Sequence, residues 1–176
     1  MEIIIREERI KDYELSEIVV KKAFRNVEQS DHKEHYLVSR LRKTNSFIPE
    51  LSIVAEFKGE IVGHIMLTKL YIKNDANQYI SLALAPVSVL PEYQDRGIGT
   101  NLINKSINIA KKLGYKSVIV LGHENYYPRF GFKPASKWGI KAPFDVPDES
   151  FMALELNDGS LDGVTGTVVY AKEFFE

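Results

Sequence analysis

Three apolar stretches in the first half of the chain, residues 51–57, 61–72 and 82–90, are each bounded by turn-forming residues, the pattern of buried or half-buried strands. Lys58, Gly59 and Glu60 join the first two into a hairpin, and residues 75–78 turn the chain into the third. Pro86 interrupts this third strand and predicts a bulge or a loss of pairing beside it, because proline has no N–H to give to a ladder. Apolar or small residues then recur at Ile98, Leu102, Ile103, Ser106, Ile109, Ala110 and Leu113, the spacing of a helix packed through one face and stopped by Gly114. Residues 116–121 read as the next strand. Upstream, residues 2–6 are a short strand, and Asp12 caps a helix with Leu15, Ile18, Val19 and Ala23 along its inner face. Asp31 and Glu34 start a second helix with Leu37, Val38 and Leu41 inward. After Leu121 the chain is aromatic and turn-rich, and it ends in a predicted strand pair, residues 151–156 and 164–171. Three antiparallel strands followed by a strand–helix–strand crossover make an α/β (α+β) fold around one mixed sheet.

Between the third strand and its helix lies Gln94-Asp95-Arg96-Gly97-Ile98-Gly99-Thr100. A turn that delivers successive N–H groups to a helix N-terminus suits a phosphate, since those donors lack intrahelical partners and the helix dipole favours an anion there. Two better-known phosphate loops are excluded. A dinucleotide fingerprint needs a glycine where this chain has Leu102, and a Walker loop needs a lysine after Gly99, where Thr100 stands. Taken alone, a Gly-x-Gly turn fits a plain strand-to-helix connection as well as a ligand site.

Composition narrows the classes. The 176 residues suffice for one core and are short for two, so a single domain over residues 1–176 is expected. A net charge of −1 gives no electrostatic footprint for nucleic acid or a membrane surface. The absence of cysteine excludes a disulfide, a thiolate nucleophile and a cysteine metal site. His32 and His35 have no third ligand at a matching offset, so no metal is expected. The apolar run near the N-terminus is too short for a signal or spanning helix, which makes the cytoplasm the expected compartment.

The motif Val89-x-Pro91-x-x-Gln94-x-x-Gly97-x-Gly99 between an apolar strand and an amphipathic helix resembles the acyl-CoA-binding motif of the GNAT-superfamily N-acetyltransferases. Residues 116–121 followed by Tyr127-Pro-Arg-Phe-Gly-Phe132 resemble that family's next strand and its Tyr-x-x-x-Gly-Phe segment, and residues 54–56 with 59–65 resemble its central hairpin. The resemblance covers roughly residues 1–135. It implies a GNAT-type mixed, mostly antiparallel central sheet with a parallel, splayed strand pair, flanked by helices. It implies acetyl-CoA as cosubstrate, its diphosphate on Gln94, Asp95, Arg96, Gly97, Ile98, Gly99 and Thr100 and its pantetheine arm along Val87, Ser88 and Val89.

The implied reaction is direct attack of a primary amine on the thioester in a ternary complex, no cysteine being present to carry the acyl group. By its place in the motif Tyr127 corresponds to the general acid, and His123 and Glu124, just past a strand end, are both candidates for the general base; His64 and Glu50 are weaker ones. One departure stands out. The asparagine many relatives carry about seven residues before the tyrosine is here Val120, within the strand, which puts its pantetheine contact in doubt. The acceptor is left open among a small amine, an antibiotic and a peptide N-terminus, and the protein between monomer and homodimer. A non-catalytic acyl-CoA sensor or assembly module would share the same turn.

Overall fold

The structure, a computed structural model, describes residues 1–176. In chain order its elements are β1 (Ile4–Glu7), α1 (Tyr13–Phe24), α2 (Glu34–Leu41), β2 (Ser52–Phe57), β3 (Glu60–Lys73), β4 (Gln78–Val89), α3 (Ile98–Lys112), β5 (Ser117–Leu121), β6 (Lys133–Pro134), β7 (Ile140–Lys141), β8 (Phe151–Glu155) and β9 (Gly166–Val169). The chain forms two compact units. The first comprises Met1–Thr68, Ala85–Ile109 and Lys172–Glu176, the second Lys69–Leu84 and Ala110–Ala171.

In the first unit β1 pairs antiparallel with β2, from Ile4↔Glu56 to Glu7↔Ile53, and β2 with β3, from Ser52↔Met66 to Phe57↔Glu60. The hairpin closes through Lys58 and Gly59, both at positive φ, as a two-residue turn that follows strand twist requires. α3 packs through Ile98, Leu102, Ile103, Ser106, Ile107 and Ala110. Ile107 takes the inward place expected of Ile109, and Leu113 lies beyond the helix end and is largely exposed. Gly63 of β3 is a point of close approach: a Cβ there would lie 3.1 Å from Leu102 Cδ1, 3.2 Å from the Ser88 carbonyl oxygen and 3.3 Å from Ala55 Cβ.

The same unit holds α1 and α2, and here the expected inner face of α1 is corrected. Ser16, Val19 and Val20 are buried, whereas Leu15 and Ile18 are 49% and 43% exposed. An ion network also involves this helix, through Tyr13 and Glu17. Arg42 donates to Glu8 at 2.7 Å and to Glu17 at 2.6 Å, with its guanidinium 4.0 Å from the Tyr13 ring centre. Asp12 does not cap α1 with its side chain. Its carboxylate accepts the Arg6 guanidinium at 2.8 Å and the Arg9 N–H at 2.8 Å, and the Arg6 bond above all holds Asp12 below the usual carboxylate range against the opposing effect of burial. Ahead of α2, Asp31 accepts the Lys33 N–H at 2.9 Å and Glu34 accepts the Ser30 hydroxyl.

In the second unit the end of β3 pairs antiparallel with β9, from Tyr71↔Val169 to Lys73↔Thr167, and β9 pairs parallel with β7. β4 and β5 form a second parallel pair, at Leu82↔Val118 and Ala83↔Ile119 only. The register ends ahead of Pro86, as a residue without an N–H predicts. β5 is flanked on its other side by β8, from Ser117↔Glu155 to Leu121↔Phe151, and β8 also takes β6. Ser117, Val118, Ile119 and Val120 are all buried, so both faces of β5 are covered, which explains its apolar run. The expected terminal pair does not form, because β8 and β9 each spend their ladders on other strands. The sheet is mixed and mostly antiparallel, with two parallel pairs, β4–β5 and β7–β9, and helical flanks.

Candidate functional site

The first unit carries the segment from Val87 to Thr100. Val87 and Val89 are half-buried while Ser88 between them is buried, its hydroxyl without a protein partner. Leu90 turns its N–H to the Val62 carbonyl at 2.9 Å. In extended backbone successive N–H groups point to opposite sides, so the Val89 N–H faces away from β3. On that side the Gln94 side-chain amide donates to the Val89 carbonyl at 3.1 Å and ties the strand end to the turn, a link that sequence spacing does not reveal.

A single 3₁₀ turn, Pro91–Tyr93, then lifts the chain toward α3. Asp95 at φ +62° and Gly97 at φ +80° reverse the backbone, and the space above Gly97 is open, with nothing within 4 Å of a Cβ built there. Glycine is needed at 97 for the left-handed conformation, since a side chain would cost about 1–2 kcal/mol there. The Asn101 N–H bonds the Gly97 carbonyl at 3.0 Å as the helix begins, so Ile98, Gly99 and Thr100 precede the first closed helical ring. The first turn of α3 holds no acidic residue to compete for its positive end. The Arg96 guanidinium lies 5.5 Å from the Tyr93 ring centre and 3.6 Å from the Met1 sulfur, weak contacts that leave its charge uncompensated.

His64, also in this unit, is a core residue. It is fully shielded from solvent, and its Nε2 lies 3.3 Å from Ser52 Oγ. Burial pushes its imidazole down to about 4, against the opposing pull of Glu8 and with help from Arg42. Glu50 stands exposed in the turn before β2.

In the second unit the chain leaves β5 at Leu121 and passes through Gly122, His123, Glu124 and Asn125 into a 3₁₀ turn, Tyr127–Phe130. His123 and Glu124 are exposed. The Asn125 N–H donates to His123 Nδ1 at 3.2 Å, so the neutral ring carries its proton on Nε2. In that tautomer the free nitrogen is a donor, and His123 accepts a substrate proton only if the Asn125 contact opens. Glu124 has no such constraint. Tyr127 is buried, packed edge-on against Tyr126 at 5.1 Å and Phe132 at 5.7 Å between ring centres. Burial, with a smaller contribution from Tyr126, pushes its phenol up to about 12. Val120 is buried in β5 opposite Met152, so the side chain at the asparagine position is core.

Residues 20–132 match the acetyltransferase (GNAT) family. The uncharacterized N-acetyltransferase YjhQ of Escherichia coli is 42% identical over 118 residues, 66% of this chain and 65% of that protein, so the chain spans just under two thirds of that relative's length. The crystal structure of a GNAT family acetyltransferase from Brucella melitensis in complex with acetyl-CoA superposes with a TM-score of 0.81 at 33% identity, covering 98% of both chains. That of YhbS from Escherichia coli in complex with CoA has a TM-score of 0.89 at 24% identity, over 99% of this chain and 92% of its own. No helix of the protein is long and apolar enough to cross a membrane.

Proposed function

Because the chain belongs to the acetyltransferase (GNAT) family, we propose that it transfers an acetyl group from acetyl-CoA to a primary amine by direct attack. The observation that carries this reading is the turn 94–100. Its left-handed residues, open space over Gly97 and acid-free helix start make an anion cradle at the end of an extended strand whose Val89 N–H is turned away from its neighbour. The acetyl-CoA bound to the Brucella melitensis relative supports the choice of anion.

In the proposed reaction the diphosphate rests on the N–H groups from Gln94 to Thr100, and the pantetheine arm lies along Val87, Ser88 and Val89. The Val89 N–H polarises the thioester carbonyl as negative charge grows on its oxygen. The amine nitrogen bonds to the carbonyl carbon, the C–S bond breaks, and one proton leaves the nitrogen while the sulfur gains one. Tyr127, its phenol held near 12 by burial, is fully protonated at neutral pH and shares its proton with the departing sulfur. Glu124, directly or through water, takes the amine proton; His123 does so once its ring is released from Asn125.

Calorimetry with CoA, followed by thiol release from acetyl-CoA with a panel of amines, tests the reading. Expected are saturable CoA binding that Gly97→Val weakens about tenfold or more and thiol release with at least one amine. Binding without turnover for every amine would favour an acyl-CoA sensor, and no binding at all would remove the proposal.

A further inference from the structure

We infer that Gly122 is a positioning residue for Tyr127: the phenol keeps its place because residue 122 carries no side chain. This rests on the reading of Tyr127 as the proton donor. A Cβ built on Gly122 would lie 2.3 Å from Tyr127 Cε2, 2.8 Å from Cδ2 and 3.3 Å from Cζ, so ring and methyl cannot share the space. Gly122 is not at positive φ, so a left-handed backbone does not account for the glycine there. The contact with the ring does.

Neither side of this contact yields freely. The Gly122 N–H donates to the Ser150 carbonyl at 2.9 Å, which extends the β5–β8 ladder past Leu121↔Phe151 and pins the strand end. The tyrosine is backed by Tyr126, Phe132 and, at 6.4 Å, Phe130. Its N–H reaches the His123 carbonyl at 3.4 Å, and Pro128 follows with its fixed φ. A side chain at 122 therefore expels the ring from its box into water, and a solvated phenol returns toward the ordinary tyrosine range, away from about 12.

Gly122→Ala tests this with two readouts. In an ultraviolet titration, with Tyr127→Phe as the subtraction control, the Tyr127 ionisation of Gly122→Ala is expected to move down toward the ordinary value. In turnover, kcat is expected to fall about tenfold or more with KM for acetyl-CoA changed less than about twofold, and Gly122→Ala is expected to add nothing to Tyr127→Phe. A titration and a kcat both matching the wild type would overturn the inference. Wild-type turnover by Tyr127→Phe would instead remove the proton-donor reading, while the titration would still decide whether Gly122 places the ring. If Gly122→Ala does not fold, Gly122→Ala with Tyr127→Ala decides: melting where Tyr127→Ala alone melts supports the clash, and continued failure to fold overturns it.

Discussion

The Nε2 of His64 lies 3.5 Å from a carboxylate oxygen of Glu8, at a depth where neither side chain reaches solvent. Arg42 already holds that carboxylate at 2.7 Å and Ser52 donates to it at 2.7 Å, so the imidazole has no call on it as a cation. Burial pushes His64 down to about 4 from an ordinary 6.5. Between those values the unfolded chain binds a proton that the folded chain refuses. Stability due to this group is complete above about 6.5 and falls as the pH drops toward 4, by roughly 3 kcal/mol over the window. Urea unfolding at pH 7.5, 5.5 and 4.5 measures it. His64→Gln is expected to flatten the slope, and parallel losses in variant and wild type would assign the acid sensitivity elsewhere.

The same carboxylate gives a second expectation. Glu8 is fully shielded and Arg42 nearly so, so removing the guanidinium strands a charge that water cannot reach. Arg42→Met is expected to cost about 3–5 kcal/mol, far more than Glu17→Gln, whose carboxyl sits partly in solvent. Chemical denaturation of both variants at pH 7 makes the comparison. Equal, small losses would mean that Glu8 finds another partner or takes a proton.

Tyr127→Phe keeps the ring and its edge-on contacts with Tyr126 and Phe132 and removes only the hydroxyl. Turnover is expected to fall about tenfold or more while CoA affinity stays within about twofold. Steady-state kinetics with calorimetry separate the two. An unchanged kcat would leave Tyr127 as packing.

Most of what the sequence made legible is local. The β2–β3 hairpin, the loss of β5 pairing at Pro86, the turn 94–100 and α3 follow from period and turn chemistry, because each depends on residues close together in the chain. The inner face of α1 did not follow. Counting apolar positions selects Leu15 and Ile18, yet Ser16 is buried with Val19 and Val20, close to an ion network of Glu8, Arg42 and Glu17 that only the tertiary fold assembles. The partners of β8 and β9 were hidden for the same reason: pairing is chosen across long sequence separations, as Ser117↔Glu155 and Tyr71↔Val169 illustrate. At the candidate site, the placement of Gly122 in the short segment before the tyrosine is visible in the sequence, but that its missing side chain makes room for the ring is not.

Gly63 links packing to the cradle, since its absent side chain lets β4 and α3 approach β3 together. A methyl at 63 would press on the end of the Leu102 side chain, which can rotate, and on the Ser88 carbonyl, which as backbone cannot move alone. Displacing Ser88 shifts Val87 and Val89, the stretch proposed to carry the pantetheine arm, whereas a rotation of Leu102 leaves them in place. Gly63→Ala is therefore expected to cost about 1–3 kcal/mol through overpacking and to raise KM for acetyl-CoA several-fold. Thermal melting and initial rates on the same preparation read both. A stability loss with an unchanged KM would show that Leu102 absorbs the strain and that the strand end is less closely coupled to its neighbours than these distances imply.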